Sequence, residues 1–167
     1  MSDSVTTLIV ESNINSLRSR LESWRYARKL VALVPTMGAI HAGHMALVER
    51  AKALADVVVV SIFVNPTQFG PGEDLEVYPR PENEDWALLN GANVDLLFRP
   101  SADAMYPAGF KTVIRVQGVS EVLCGIRRPG HFDGVATVVA KLLLQSRPDI
   151  ALFGEKDYQQ LVVIKRL

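Results

Sequence analysis

A doubly wound α/β fold built on a largely parallel sheet is what this sequence predicts, and three observations predict it. Short apolar runs alternate with amphipathic stretches along the chain. The run Val57 to Val64 (VVVVSIFV) is apolar on both faces, which suits a strand only in the middle of a sheet covered on both sides. The chain has 167 residues, 49% of them hydrophobic and 22% charged, which is enough for one core and too little for two full domains.

The first strand is expected over Thr6 to Val10. A helix follows from Asn13 to Arg28, with Ile14, Leu17, Leu21 and Trp24 on one stripe and Ser12 as its cap. Lys29 to Val34 (KLVALV) reads as the second strand, stopped by Pro35, which cannot donate to a sheet ladder. Between Gly43 and Ala55, Leu47, Val48, Ala51 and Leu54 recur at helical spacing, and Asp56 ends the helix before the central strand. Asn65 to Pro81 is a long polar loop rich in Pro and Gly, a candidate substrate lid. A short helix is expected over Glu82 to Asn90, then strands at Val94 to Phe98 and Thr112 to Val116. His131 to Gln145 predicts a helix with Val135, Val138, Val139 and Leu142 on one stripe, and Pro148 beyond it as a stop. Ile150 to Phe153 reads as the last strand. Asp157 to Leu167 reads as the last helix, with Leu161, Val162 and Ile164 turned inward. Ligands of such sheets bind beyond the carboxyl ends of the strands.

Eighteen basic residues balance eighteen acidic ones, so the chain lacks the positive field of an unaided nucleic-acid or acidic-membrane binder. A small-molecule partner is expected instead. The single cysteine, Cys124, cannot form an internal disulfide or a Cys-based zinc site, and a reducing, cytoplasmic setting fits. No apolar run reaches the roughly 18 residues of a membrane span, and MSDSVTTLIV has no basic region followed by a cleavable apolar one.

The chemistry concentrates at predicted strand-to-helix junctions, where all three histidines, His41, His44 and His131, lie in Gly-containing segments. In Pro35 to His44 (PTMGAIHAGH) the helix-start amides favour anions, Gly43 allows a ligand close to the main chain, and two imidazoles three positions apart can donate to phosphate oxygens. The competing motifs fail. Gly38 and Gly43 have Walker A spacing, but His44 and Met45 replace its Lys and Ser or Thr. The dinucleotide fingerprint G-x-G-x-x-G, the G-x-S-x-G elbow and the H-E-x-x-H pair are all absent. Nucleotide chemistry without a hydride carrier remains.

Four segments in order, VPTMGAIHAGHMALVERA, SIFVNPTQFGPGEDLEVYPR, RRPGHFDGVATVVAKLL and FGEKDYQQL, resemble the pantothenate synthetase family, the pantoate–β-alanine ligases of the His-Ile-Gly-His nucleotidyltransferase superfamily. The resemblance runs from the first strand to Leu167. It implies a Rossmann-like domain in an enzyme that condenses pantoate with β-alanine at the expense of Mg²⁺-ATP, through a pantoyl adenylate, and that works as a homodimer. By the same resemblance Met37, Gly38, Ala39, Ile40, His41, Ala42, Gly43 and His44 form one ATP-binding segment, and Gly154, Glu155, Lys156 and Asp157 form a second. It also implies His44 as catalytic proton donor with His41 beside it on the phosphates, Gln68 and Gln160 as pantoate ligands, and Gln68 at the β-alanine region. It leaves the metal ligands open.

Elementary chemistry agrees with those roles. Charge developing on phosphate oxygens calls for fixed donors, which His41, His44, Lys156 and helix amides can supply. Neutral glutamines can read pantoate hydroxyls without a charge to desolvate. Other residues carry two readings: Asp157 is a helix cap or a ribose or metal partner, and Arg127, Arg128 and His131 are an anion clamp or a solvated loop. The acidic residues Glu73, Asp74 and Glu82 to Asp85 attract Mg²⁺ or simply start a helix. Cys124 and Trp86 are expected to pack.

The family implied by the resemblance continues with another strand, a Ser-Ser-Arg segment and a C-terminal lid domain that these 167 residues do not contain, and Leu167 falls inside a helical pattern without a cap or stop. The expectation is therefore an N-terminal nucleotide- and pantoate-binding domain over residues 1–167, with little turnover on its own. The alternative is a non-catalytic nucleotide-binding or dimerisation protein of the same fold. A different nucleotidyltransferase would call for more basic residues facing its acceptor.

Overall fold

Five strands pair in parallel among the described residues of the computed structural model, which are 7–70, 72–73 and 75–167. Thr6 of the expected first strand and Asp74 of the acidic stretch lie outside them. In chain order the strands are β1 (Ile9–Glu11), β2 (Val31–Thr36), β3 (Val57–Ile62), β4 (Leu96–Phe98) and β5 (Ile150–Ala151). They lie side by side as β1-β4-β3-β2-β5. The long helices are α1 (Ile14–Tyr26), α2 (Ala42–Lys52), α3 (Glu82–Gly91), α6 (His131–Ser146) and α7 (Tyr158–Arg166). Two single turns, α4 (Ala102–Met105) and α5 (Cys124–Arg127), are too short for any periodic signal in the sequence.

The expected double winding is present, and strand alternation explains it. Val31, Leu33, Val57, Val59, Leu96 and Phe98 meet Leu17 and Leu21 of α1 and Val135, Val138, Val139 and Leu142 of α6 on one face. Ala32, Val34, Val58, Val60 and Leu97 meet Val48 and Ala51 of α2 and Leu89 of α3 on the other. β3 takes the middle position and is buried on both sides, as a run apolar on both faces requires.

Several local expectations change. Asn13, not Ser12, caps α1, accepting from Asn15 N and Ser16 N. Pro35 does not stop β2, which continues to Thr36. Val31 and Leu33 offer their carbonyls to Asp149 N and Leu152 N on the β5 side, whereas Thr36 O accepts from Phe63 N on the β3 side. Pro35 shares the phase of Val31 and Leu33, so its missing N–H faces the β5 side beyond the two residues, Ile150 and Ala151, over which β5 pairs. The pairing with β3 is left intact. Thr112 to Val116 forms no strand: Ile114 N–H donates instead to Thr137 Oγ1 of α6 at 2.9 Å. On α7 the buried residue is Val163, packed on Phe132 and Ala136 of α6, while Leu161, Val162 and Ile164 are half-buried. The helix leans on α6 rather than on the sheet, which rotates its buried stripe. Cys124 and Trp86 are exposed rather than packed. No helix among the described residues is long and apolar enough to cross a membrane.

Candidate functional site

From β2 the chain winds through β3 to β4 in one direction, and β5 is then laid on the opposite side of β2. The switch point between β2 and β5 is where the loops leaving two neighbouring strands part, and sheets of this class open a crevice there. A cleft of about 530 Å³ occupies that position. The loop after β2 supplies Met37 and His41, the first turn of α2 supplies Gly43 and His44, and the loop after β5 supplies Gly154, Glu155, Lys156 and Asp157. Gln68 enters from the loop after β3 and Gln160 from α7. The stripe Val135, Val138, Val139 and Leu142 of α6 makes an apolar wall with Phe63 and Phe153. The cleft thus brings together most of the expected site residues. Its lining does not include Gly38, Ala39, Ile40 or Ala42.

The reason lies in the turn before α2. Gly38 (φ 86°) and Ala39 (φ 50°) are both left-handed. Thr36 Oγ1 donates to Ser61 O at 2.8 Å and accepts from Gly38 N at 3.1 Å. The amides of Ala39 and Ile40 donate to the carboxylate of Asp85, Oδ2 at 2.9 Å and Oδ1 at 2.7 Å. These amides therefore turn inward to α3 instead of toward the cleft.

The two imidazoles stack, with ring centroids 4.0 Å apart and planes at 21°. His41 is the N-cap of α2, and its Nδ1 accepts from Gly43 N at 3.1 Å. A Cβ on residue 43 would sit 2.9 Å from His41 Cε1, so the stack needs glycine there. His44 Nδ1 is buried with no partner among the described residues, leaving Nε2 as the nitrogen open to a ligand. Burial depresses the His44 pKa below 6.5, His41 and Lys156 add to the effect, and the Asp85 carboxylate opposes it. These surroundings favour neutral His44 near pH 7, and a polyphosphate beside it would favour the imidazolium.

Gln68 is held from three sides. It closes a single 3-10 turn, Pro66–Gln68, capped by Asn65, which is fully buried. Asn65 Nδ2 donates to Gln68 Oε1 at 3.0 Å and to Gly134 O at 3.1 Å, and its Oδ1 accepts from Thr67 and from Tyr106 Oη. With its oxygen taken, the Gln68 amide presents Nε2, which meets Met37 Sδ at 3.1 Å. The main-chain carbonyl of Gln68 accepts from His131 Nδ1 at 2.8 Å and Arg128 Nη2 at 3.4 Å.

Arg128 grips Glu73 with two bonds of 2.6 and 2.7 Å. Those bonds, with one from Gly70 N, hold the Glu73 carboxyl down at about 2. His131 Nε2 faces Arg128 Nη1 at 3.2 Å, and burial pushes the His131 pKa below its ordinary value. Each of the two readings of this segment holds in part: Arg128 clamps an anion, the protein's own Glu73 carboxylate, and with His131 straps the loop after β3 to the start of α6, while Arg127 is exposed. Asp157 stands at the N-cap of α7 but makes no side-chain cap bond, so its carboxylate is free to face the cleft.

Sequence reasoning missed Asn65, and it placed Asp85 in a stretch that attracts Mg²⁺ or starts a helix, without its bonds to the turn amides. Asn65 had a visible signal, a polar side chain closing a run of eight apolar-rich residues. Asp85 had none that separates it from Glu82 and Glu84.

Fold and cleft define a doubly wound α/β protein with a candidate site at the switch point that carries a His-x-Gly-His helix start. The profile of the family described as pantoate-beta-alanine ligase matches residues 9–167, and the chain belongs to that family. It is 58% identical over 161 residues to a pantothenate synthetase of Paramagnetospirillum magneticum and 58% over 160 residues to one of Rhodospirillum rubrum. Each match covers 96% of this chain, and the chain spans 57% of the length of these relatives. A pantothenate synthetase structure from Thermus thermophilus superposes with a TM-score of 0.90 at 52% identity, over 95% of this chain and 56% of that one. A pantoate-beta-alanine ligase structure from Francisella tularensis, described as complexed with beta-gamma ATP and beta-alanine, also gives 0.90, at 43% identity over 95% and 61% of the two chains.

Proposed function

We propose that the chain binds ATP and pantoate in this cleft and serves the pantoate–β-alanine ligase reaction as its nucleotide- and pantoate-binding domain. The pantoate carboxylate attacks the α-phosphorus of ATP, pyrophosphate leaves, and the amine of β-alanine then displaces AMP from the acyl adenylate. One observation carries the reading: two stacked imidazoles and a lysine share a cleft with two neutral amides and an apolar wall. Adenylate formation spreads negative charge over phosphate oxygens, which donors in fixed positions stabilise without reorganising. His41, His44 and Lys156 are those donors, with His44 in the role of proton donor. The amides of Gln68 and Gln160 suit the hydroxyls of pantoate, and the α6 wall suits its two methyl groups. Gln68 also serves the β-alanine region, a ligand named for the Francisella tularensis relative.

Among the described residues no three His, Cys, Asp or Glu side chains converge as a metal centre. The Mg²⁺ of this reaction fits the mode in which the ion rides on substrate phosphates with one or two carboxylates, here Glu155 and Asp157 of the cleft lining. A homodimer in the cytoplasm completes the reading.

Calorimetric titration with ATP, followed by pantoate-dependent pyrophosphate release, tests it. Binding with a catalytic trace that requires pantoate supports the ligase. Nucleotide binding indifferent to pantoate supports a non-catalytic relative, and no binding at millimolar ATP by folded protein removes the site.

A further inference from the structure

Two successive left-handed residues, Gly38 and Ala39, shape the turn that leads into α2, and the second carries a side chain that disfavours this backbone. Consecutive amides in such a turn form a concavity that attracts anions, and in many nucleotide-binding proteins a phosphate fills it. Here the anion belongs to the protein. Asp85, on α3, is 3% exposed and places one oxygen on Ala39 N and the other on Ile40 N. Gly38 makes room for it, because a Cβ at that position would lie 3.0 Å from Asp85 Oδ2. A helix that contributes nothing to the cleft lining thereby sets the shape of the turn from below.

We propose that Asp85 is an internal anion that holds the His41–His44 turn in its ligand-binding shape, a positioning residue for the nucleotide. The proposal deepens the reading of the cleft as an ATP site and rests on it. Its first consequence is that the amides of Ala39 and Ile40 are closed to phosphate, so ATP oxygens fall to the imidazoles, Lys156 and the first turn of α2. Its second is electrostatic. His44 faces His41 on its own turn, Lys156 with Glu155 and Asp157 on the loop after β5, and Asp85 beneath. Asp85 is the group that favours the imidazolium against burial and the positive charge of its two basic neighbours.

Two experiments on the 167-residue chain test this. In wild-type protein without ligand, the Ala39 and Ile40 amides should resist hydrogen exchange, and ATP should leave their protection unchanged. Exchange at the rate of open amides, or protection that appears only with ATP, would overturn the proposal. In Asp85→Asn, which keeps the volume but turns a donor toward one amide, ATP affinity should fall about tenfold or more. The imidazole titration midpoint of His44, read by NMR, should also fall. Adding Ala39→Gly, which accepts left-handed backbone freely, should recover part of the affinity and none of the midpoint.

A folded Asp85→Asn with wild-type affinity and midpoint would overturn the proposal. So would a loss of affinity that Ala39→Gly does not touch, with the midpoint unmoved, because that marks a merely structural role. If Asp85→Asn does not fold, wild-type exchange decides alone. If wild-type protein fails to bind ATP, the site reading falls, while exchange and the His44 midpoint still decide whether Asp85 holds the turn.

Discussion

Replacing Gly134 with alanine should disable pantoate binding from the far side of the cleft wall. Gly134 lies on α6 where the helix presses against the 3-10 turn of Gln68. An added Cβ would stand 2.4 Å from Thr67 O, 2.6 Å from Thr67 C and 2.8 Å from Gln68 Cα. These are main-chain atoms that cannot swing aside. Relief to 3.0 Å, below which real Cβ contacts are essentially never found, requires α6 and the turn to part by at least about 0.6 Å. That movement stretches the 3.1 Å bond from Asn65 to Gly134 O and shifts the amide of Gln68. Overpacking of this kind costs about 1–3 kcal/mol of stability. A displaced contact group of this size can cost up to about 10²-fold in function. We expect a lower denaturation midpoint, pantoate affinity weakened at least about tenfold, and ATP affinity within about threefold, since the His41–His44 turn sits on another loop. Chemical denaturation and calorimetric titration of each substrate measure the three quantities. Unchanged stability with unchanged pantoate affinity would refute the reasoning.

Three further outcomes follow from the site. His44→Ala should slow pantoate-dependent pyrophosphate release by about 10²- to 10³-fold, the cost of one lost transition-state donor, with a smaller change in ATP affinity. Because the His44 pKa lies below the ordinary 6.5 and phosphate favours its charged form, ATP binding should take up a proton. Affinity should then rise as the pH falls from 8 toward the lowered His44 pKa and flatten below it, an excess slope that titrations in paired buffers should find missing in His44→Ala. The folded pKa values of His44 and His131 are both depressed, so their neutral forms contribute stability that is present above pH 6.5 and lost as the pH falls through the lowered values. Denaturant midpoints between pH 7 and 5 should decline accordingly, while Glu73, titrating near 2, stays constant over that window.

Much of the fold was legible because it rests on period. The run Val57 to Val64, which contains β3, admits no amphipathic reading, and the α6 stripe of Val135, Val138, Val139 and Leu142 serves both core and cleft wall. The candidate site was legible where motif residues follow a strand, as His41 and His44 do after β2. Pro35 misled because its harm depends on which neighbour its missing N–H would face, and that is a property of the sheet order. The phase of α7 depended on its packing against α6 rather than the sheet. Asp85 was illegible for a deeper reason. Its role is a bond to amides 46 and 45 residues away, and in sequence it is one acidic residue among several at a helix start.

The central claim is that ATP and pantoate meet at the switch point between β2 and β5. A crystal structure of the chain grown with ATP, Mg²⁺ and pantoate tests it most directly. The account predicts phosphate oxygens against His41, His44 and Lys156, pantoate between Gln68 and Gln160 on the α6 wall, and Asp85 still bonded to Ala39 N and Ile40 N. Nucleotide seated elsewhere on the fold, or phosphate on the Ala39 and Ile40 amides with Asp85 displaced, would contradict it.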